Sequence, residues 1–145
     1  MSHRVIIQSR TTSKRLPGKS LLPICGIPIT ILCAKRLKKN NDLLVVTSKN
    51  KSDDALSNII KKNKIKLFRG SLNNVLSRFY NATLDLKDDD IIIRATADNP
   101  IPDYHFIKKC LKIFKDKKYD YLYFDSPKNG LPYGLCIEIY FVKDL

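Results

Sequence analysis

Just after the first apolar run, the chain places four cationic side chains, Arg10, Lys14, Arg15 and Lys19, among four hydroxyls, Ser9, Thr11, Thr12 and Ser13, and then turns at Pro17-Gly18. A guanidinium can fork two oxygens at once, while an ammonium acts as a point charge. A backbone that folds back on itself adds N–H donors facing one hollow. Together these groups make a cradle for an anion. At the carboxyl end of a parallel strand the expected anion is a polyphosphate. The segment from Ser9 to Pro28 is long for a strand-to-helix connection, and ordered connections of that length usually serve a function. Leu16, Leu21, Leu22, Ile24 and Ile27 are expected to pin it to the body of the protein.

Ser13-Lys14-Arg15-Leu16-Pro17-Gly18-Lys19-Ser20 differs from the G-x-x-x-x-G-K-S phosphate loop at one position, its first glycine. That motif must run directly into a helix whose amides hold the phosphates. Pro23, Gly26 and Pro28 forbid a helix directly after Ser20. The phosphate chemistry survives; the P-loop architecture does not.

Strands and helices must position this loop. Arg4–Gln8, Leu43–Thr47 and Ile91–Thr96 are short and almost wholly apolar, as strands buried on both faces are. Ile65–Phe68 reads as a shorter strand, and Tyr119–Phe124 and Cys136–Val142 as two more. Between them Thr30–Lys39 carries Ile31, Ala34 and Leu37 on one side. Ser52-Asp53-Asp54 reads as a helix start, a cap followed by first-turn acids, with Leu56, Ile59 and Ile60 inward. Ser71 is expected to cap a third helix with Leu72, Val75, Leu76 and Phe79 inward. Asp103 opens a fourth, with Phe106, Ile107, Cys110, Leu111 and Phe114 at core spacing. Alternating strands and helices predict a single α/β domain over residues 1–145, a three-layer α/β/α sandwich with a mostly parallel sheet. Such sheets bind ligands beyond the carboxyl ends of their strands, here after Gln8, Thr47, Phe68 and Thr96.

The chain has 145 residues, 43% of them hydrophobic, and a formal charge of +13. Charge of this size raises nucleic-acid binding, since lysine and arginine supply the phosphate contacts. The distribution argues against it. Lys61, Lys62, Lys64 and Lys66 cluster around one helix end, and Lys108, Lys109, Lys112, Lys115, Lys117 and Lys118 sit on or just after another helix; no aromatics alternate with them to stack bases. No apolar stretch reaches membrane-spanning length, so no membrane partner is expected. Cys25, Cys33, Cys110 and Cys136 lack paired spacing, and Met1 to Arg4 lead straight into a strand. Both predict a reduced, cytoplasmic protein.

Arg10, Ser13, Arg15, Leu16, Pro17, Gly18 and Lys19 form the pattern R-x-x-S-x-R-L-P-G-K, which resembles the signature of sugar-activating cytidylyltransferases. These include the CMP-Kdo and CMP-sialic acid synthetases, and most closely the spore-coat polysaccharide cytidylyltransferase family. Val46-Thr47-Ser48, Phe68 to Ser71 with Val75, Leu76, Arg78 and Phe79, Arg94 to Pro100, and Leu131 to Gly134 with Glu138 extend the match along the chain. Two departures stand out: Asn74 occupies a position where the family usually has Asp, and the chain is shorter than family members.

The resemblance implies the nucleotide-diphospho-sugar transferase fold, which is GT-A-like and Rossmann-like. It implies CTP and a sugar or sugar-acid acceptor as partners, Mg²⁺ as cofactor, and admits a homodimer. In that reading Arg10, Lys19 and Asp98 are catalytic. Arg10, Arg15 and Lys19 hold the triphosphate with Ser13, and Gln8 and Ser9 offer their edges to cytosine. Asp98 is the metal candidate, because Mg²⁺ takes one or two carboxylates plus phosphate oxygens. The other reading of Asp98 is a cap of the Asp98-Asn99-Pro100 bend, and the family pattern favours the metal. Asn99 would hold a ribose or acceptor hydroxyl. Gly70 and Arg78 would face the nucleotide, or Arg78 is a surface arginine with a buried stem. Glu138 faces the acceptor or a second metal, or is a plain strand residue.

Overall fold

The computed structural model of the chain describes residues 2–39, 41–124, 128, 130–132 and 135–145. Its centre is a six-stranded sheet built on the apolar runs. The strands are β1 (His3–Gln8), β4 (Asp42–Ser48), β5 (Lys66–Gly70), β6 (Ile91–Thr96), β7 (Tyr121–Leu122) and β8 (Glu138–Phe141). Their order is β5-β4-β1-β6-β8-β7. β1 pairs in parallel with β4 and β6, and β4 with β5; β8 pairs antiparallel with both β6 and β7. The sheet is therefore mostly parallel, with an antiparallel edge. β7 and β8 are shorter than the apolar and aromatic runs that encode them.

Alternate residues of the central strands enter two separate cores. Val5, Ile7, Val45, Ile91 and Ile93 meet α1 (Ile29–Lys38), α2 (Asp54–Lys62) and α4 (Tyr104–Asp116) through Ile31, Ala34, Leu37, Leu56, Ile60, Ile107 and Phe114. Ile6, Leu44, Val46 and Ile92 meet α3 (Val75–Asn81) through Phe79 on the opposite face. The three layers are thus unequal, three helices against one. Full burial of each Ile or Leu side chain contributes about 1.5–3 kcal/mol, so the doubly covered strands form a rigid floor whose carboxyl ends open on one side.

Two helix starts differ from expectation. A 3-10 turn over Lys51–Asp53 precedes α2, and its cap is Asn50, whose side chain accepts from Ser52 N at 3.0 Å. α3 is capped by Asn74, which accepts from Ser77 N at 2.9 Å, and not by Ser71. Asp and Asn cap helices about equally well, so Asn74 can fill this position without a carboxylate. Leu76 consequently points outward and is 61% exposed. Asp103 does cap α4, accepting from His105 N at 2.9 Å.

The long loop contains its own small structure. A single 3-10 turn covers Lys19–Leu21, and β2 (Pro23–Ile24) and β3 (Ile27–Pro28) form a tight hairpin before α1 begins at Ile29. Its two turn residues, Cys25 and Gly26, have φ of 50° and 77°, the pair of left-handed conformations that a two-residue hairpin favours. No helix follows Ser20 directly, as the prolines require. Leu16, Leu22 and Ile24 are exposed, so they do not pin the loop; Leu21 and Ile27 do pack on the core. Hydrogen bonds supply the remaining anchorage. Among the described residues no helix is long and apolar enough to cross a membrane.

Candidate functional site

β1 and β6 lie side by side in register, Gln8 opposite Thr96, so the loops leaving them start together. They enclose a cavity of about 620 Å³. Gln8, Ser9, Arg10, Ser13, Arg15 and Lys19 line it from the first loop, and Thr96 and Asp98 from the other. Of the residues expected at the site, seven therefore meet here. Asn99 is buried and lines a neighbouring cavity of about 670 Å³. Gly70 and Arg78 line neither.

Lys19 and Asp98 face each other directly. Lys19 Nζ donates to Asp98 Oδ2 at 2.7 Å across 79 residues of sequence. Burial is the largest single influence and would raise the Asp98 carboxyl, but the hydrogen bonds from Lys19 and Thr96 and the charge of Lys19 together outweigh it and hold the group below the usual carboxylate range. Asp98 is therefore a carboxylate at neutral pH, and it is the sole acid lining the first cavity among the described residues. No described group of three or more His, Cys, Asp or Glu side chains is arranged to hold a metal.

The loop reaches this position through a buried acid that sequence reading assigned to a helix start. Asp53 is fully buried; its Oδ1 accepts from Thr11 N at 2.8 Å and Thr11 Oγ1 at 2.7 Å. Its Oδ2 accepts from Ser48 N at 3.2 Å and from the Ser48 hydroxyl. Burial works against ionisation, yet the donors from Ser48 and Thr11 keep its carboxyl low. Thr11 is thereby committed to the scaffold. So is Ser9, whose Oγ pairs with Thr30 Oγ1 at 2.8 Å in the interior. Nothing in the Ser52-Asp53-Asp54 pattern distinguishes the buried acid from its exposed neighbour.

The second cavity shares Thr96 and Asp98 with the first. Its wall holds Arg94, Glu138, Tyr121 and Tyr123. Arg94 Nη1 donates to Glu138, Arg94 Nη2 donates to Gln8 Oε1 at 3.1 Å, and the Tyr121 hydroxyl donates to Glu138 Oε2 at 2.7 Å. Glu138 thus pairs with an arginine and faces this second cavity. Tyr133 and Gly134, part of the segment singled out in the sequence, lie outside the described residues.

Arg78 is neither a ligand-lining nor a surface side chain. It is fully buried, donates from Nη1 to Ser71 O at 2.8 Å, and its Nε and Nη2 have no hydrogen-bond partner among the described residues. Burial pushes its guanidinium below the usual arginine range, and the nearby charge of Arg10 adds to this, against the pull of Asp53. Gly70 makes room for that stem: a Cβ there would lie 2.8 Å from Arg78 Cγ.

A sequence model of the cytidylyltransferase family matches residues 4–136. The chain belongs to that family. This cytidylyltransferase-family chain is 37% identical over 138 residues to the uncharacterized protein MJ1063 of Methanocaldococcus jannaschii, covering 93% of itself and 55% of that protein. It is 32% identical over 141 residues to the spore coat polysaccharide biosynthesis protein SpsF of Bacillus subtilis, covering 92% of itself and 57% of SpsF. A solved cytidylyltransferase from Leptospira borgpetersenii superposes with a TM-score of 0.88 at 31% identity, covering 98% of this chain and 61% of that one. The chain therefore spans a little over half the length of these curated relatives. The match bears out the α/β fold and the nucleotidyltransferase family expected from the loop pattern.

Proposed function

We propose that this chain binds CTP with Mg²⁺ in the first cavity and transfers the cytidylyl group to a hydroxyl of a sugar or sugar acid in the second. One observation carries the reading: Asp98 stands where the two cavities meet, opposite the cationic loop. The family match and the similarity to SpsF, named as a spore coat polysaccharide biosynthesis protein, support the same class of chemistry. The reading places the chain in the cytoplasm, where nucleoside triphosphates are available.

The oxygen of an acceptor hydroxyl attacks the α-phosphorus in line; the new P–O bond forms as the bond to the β-phosphate oxygen breaks, pyrophosphate leaves, and the hydroxyl proton passes to water. Positioning and charge neutralisation do most of the work in such a displacement. Arg10 and Arg15 would fork the phosphate oxygens, and Lys19 would follow the outer phosphates as the negative charge moves to them. Ser13 would add a hydroxyl donor, and Gln8 and Ser9 would lie at the base end. Asp98 with phosphate oxygens is the donor set that Mg²⁺ accepts. When bound there, the ion would supply charge neutralisation for the phosphate oxygens. Asn99 would offer its amide to a hydroxyl of the ribose or acceptor.

The test is pyrophosphate release from CTP and Mg²⁺ with Kdo, N-acetylneuraminate or neutral hexoses as acceptor. Release that requires both CTP and one acceptor is expected. The second reading is a nucleotide-binding module without turnover. CTP binding with no release for any acceptor would select that reading.

A further inference from the structure

Helix α1 carries polar groups along one edge, at Thr30, Cys33 and Arg36, spaced i, i+3 and i+6. Its apolar residues Ile31, Ala34 and Leu37 provide the core contact, which Cys33 shares, while Thr30 and Arg36 lie outside that cluster. Thr30 is fully buried; its Oγ1 donates to the carbonyl of Ser20 at 2.9 Å, next to Lys19. One turn on, Cys33 is 1% exposed. Its thiol donates to the carbonyl of Asn99 and lies 3.4 Å from the carbonyl of Ala97. Those carbonyls flank Asp98. A further turn on, Arg36 Nε donates to the carbonyl of Pro102 at 3.0 Å. One rigid helix therefore grips the Lys19 turn at its first residues and the Asp98 segment at its next two turns.

We infer that Thr30, Cys33 and Arg36 are positioning residues, and that this edge of α1 fixes the Asp98 segment against the Lys19 turn so that a triphosphate and a divalent ion are held together. The inference rests on the CTP and Mg²⁺ reading above. Among the described residues, the other hydrogen bonds of the Asp98 segment are few: Ala97 N donates to Gln8 O at 3.0 Å and Asn99 N to Thr96 O at 3.3 Å, both at its start, Ile101 N donates to Asn99 Oδ1 at 3.3 Å within the segment, and Lys19 Nζ donates to Asp98 itself. The carbonyls of Asn99 and Pro102 have α1 as their partner. Without the thiol, the buried Asn99 carbonyl loses its donor, and Asp98 loses a fixed distance from Lys19.

The test compares wild type, Cys33→Ala and Cys33→Ser by isothermal titration with CTP, once in MgCl₂ and once in EDTA. Hydrogen exchange of residues 97–102 in the ligand-free protein is measured alongside. Wild type should bind CTP more tightly in MgCl₂. Cys33→Ala should cut that gain about fivefold, the equivalent of one net hydrogen bond, change the EDTA affinity less than about twofold, and speed exchange at 97–102. Cys33→Ser keeps a donor and should retain the gain. If Cys33→Ala does not fold, Arg36→Ala, at the exposed end of the ridge, should reduce the gain in the same direction. A lower melting temperature with the magnesium gain intact in the folded alanine variants would overturn the inference and leave the nucleotide reading standing. No magnesium gain in wild type would overturn both.

Discussion

Replacing Lys19 by methionine should move metal affinity and nucleotide affinity in opposite directions. The lysine ammonium now sits 2.7 Å from the Asp98 carboxylate, with the two side chains 26% and 44% exposed. A divalent ion arriving without nucleotide must displace that ammonium. At this exposure an ion pair is worth about 1 kcal/mol or less, so Lys19→Met should tighten Mn²⁺, used as a paramagnetic stand-in for Mg²⁺, by about fivefold at most. CTP binding should weaken far more. A charge-assisted hydrogen bond to the outer phosphates contributes about 1.5–3 kcal/mol, or about tenfold to a hundredfold in affinity. CMP lacks those phosphates and should lose less than about twofold. Mn²⁺ relaxation titrations of the nucleotide-free protein and calorimetry with CTP and CMP read all three quantities. Equal losses for CTP and CMP would place Lys19 away from the outer phosphates. A fall in Mn²⁺ affinity would show that the ammonium does not compete for Asp98. The same pair implies linkage: a triphosphate that draws Lys19 away frees Asp98, so CTP and metal should each tighten the other.

Asp53→Ala should lower stability by about 3 kcal/mol, because it strips the acceptor from the buried donors of Ser48 and the half-buried donors of Thr11, and CTP should bind more weakly at the detached loop; urea unfolding and calorimetry check both. Gly70→Ala should cost about 1–3 kcal/mol by overpacking, since the new methyl would meet Arg78 Cγ at 2.8 Å and the Phe68 ring at 3.0 Å; an unchanged urea midpoint would show that the Arg78 stem yields. Acid should loosen the amino-terminal corner. The backbone amides of Lys87 and Ser2 lower the Asp90 carboxyl from 3.8 to about 2. A depressed carboxylate stabilises the fold above its unfolded pKa, and that stability is lost as pH falls from about 4 through about 2. Asp90→Asn should flatten the stability curve in that window.

Much of the scaffold could be read from residue order because its signals are local. The runs at Val5–Ile7, Leu43–Val46 and Ile91–Ile93 are apolar without alternation, as doubly covered strands must be. The strand-end rule then brings Gln8 and Thr96 together, and with them the cationic loop and Asp98. What was not legible depends on distance in the chain. Asp53 looks like any first-turn acid until Thr11 is folded against it, 42 residues away. Ser71 and Asn74 are both good caps, and local preference does not choose between them. Leu76 fits a helical stripe, but α3 is short and packs through Phe79, leaving Leu76 outside. Leu16, Leu22 and Ile24 look like anchors, whereas hydrogen bonds from Thr11 and Thr30 carry much of that task. Arg78 gives no sign in the sequence that it is wholly buried, and Cys33 none that its thiol faces the carbonyls beside Asp98.

The central claim is that the Lys19 loop and Asp98 hold CTP jointly with a divalent ion. Thermal unfolding in CTP, UTP, ATP and GTP, each with MgCl₂ or EDTA, and in wild type and Asp98→Asn, tests it most directly. At about 100 times Kd a ligand adds about 2.7 kcal/mol, a rise of about 10 °C for a domain of this size. The account predicts that rise for CTP with Mg²⁺ in wild type, a smaller one for the other bases, and loss of the magnesium increment in Asp98→Asn. Equal stabilisation by all four nucleotides, or a magnesium increment that survives Asp98→Asn, would contradict it.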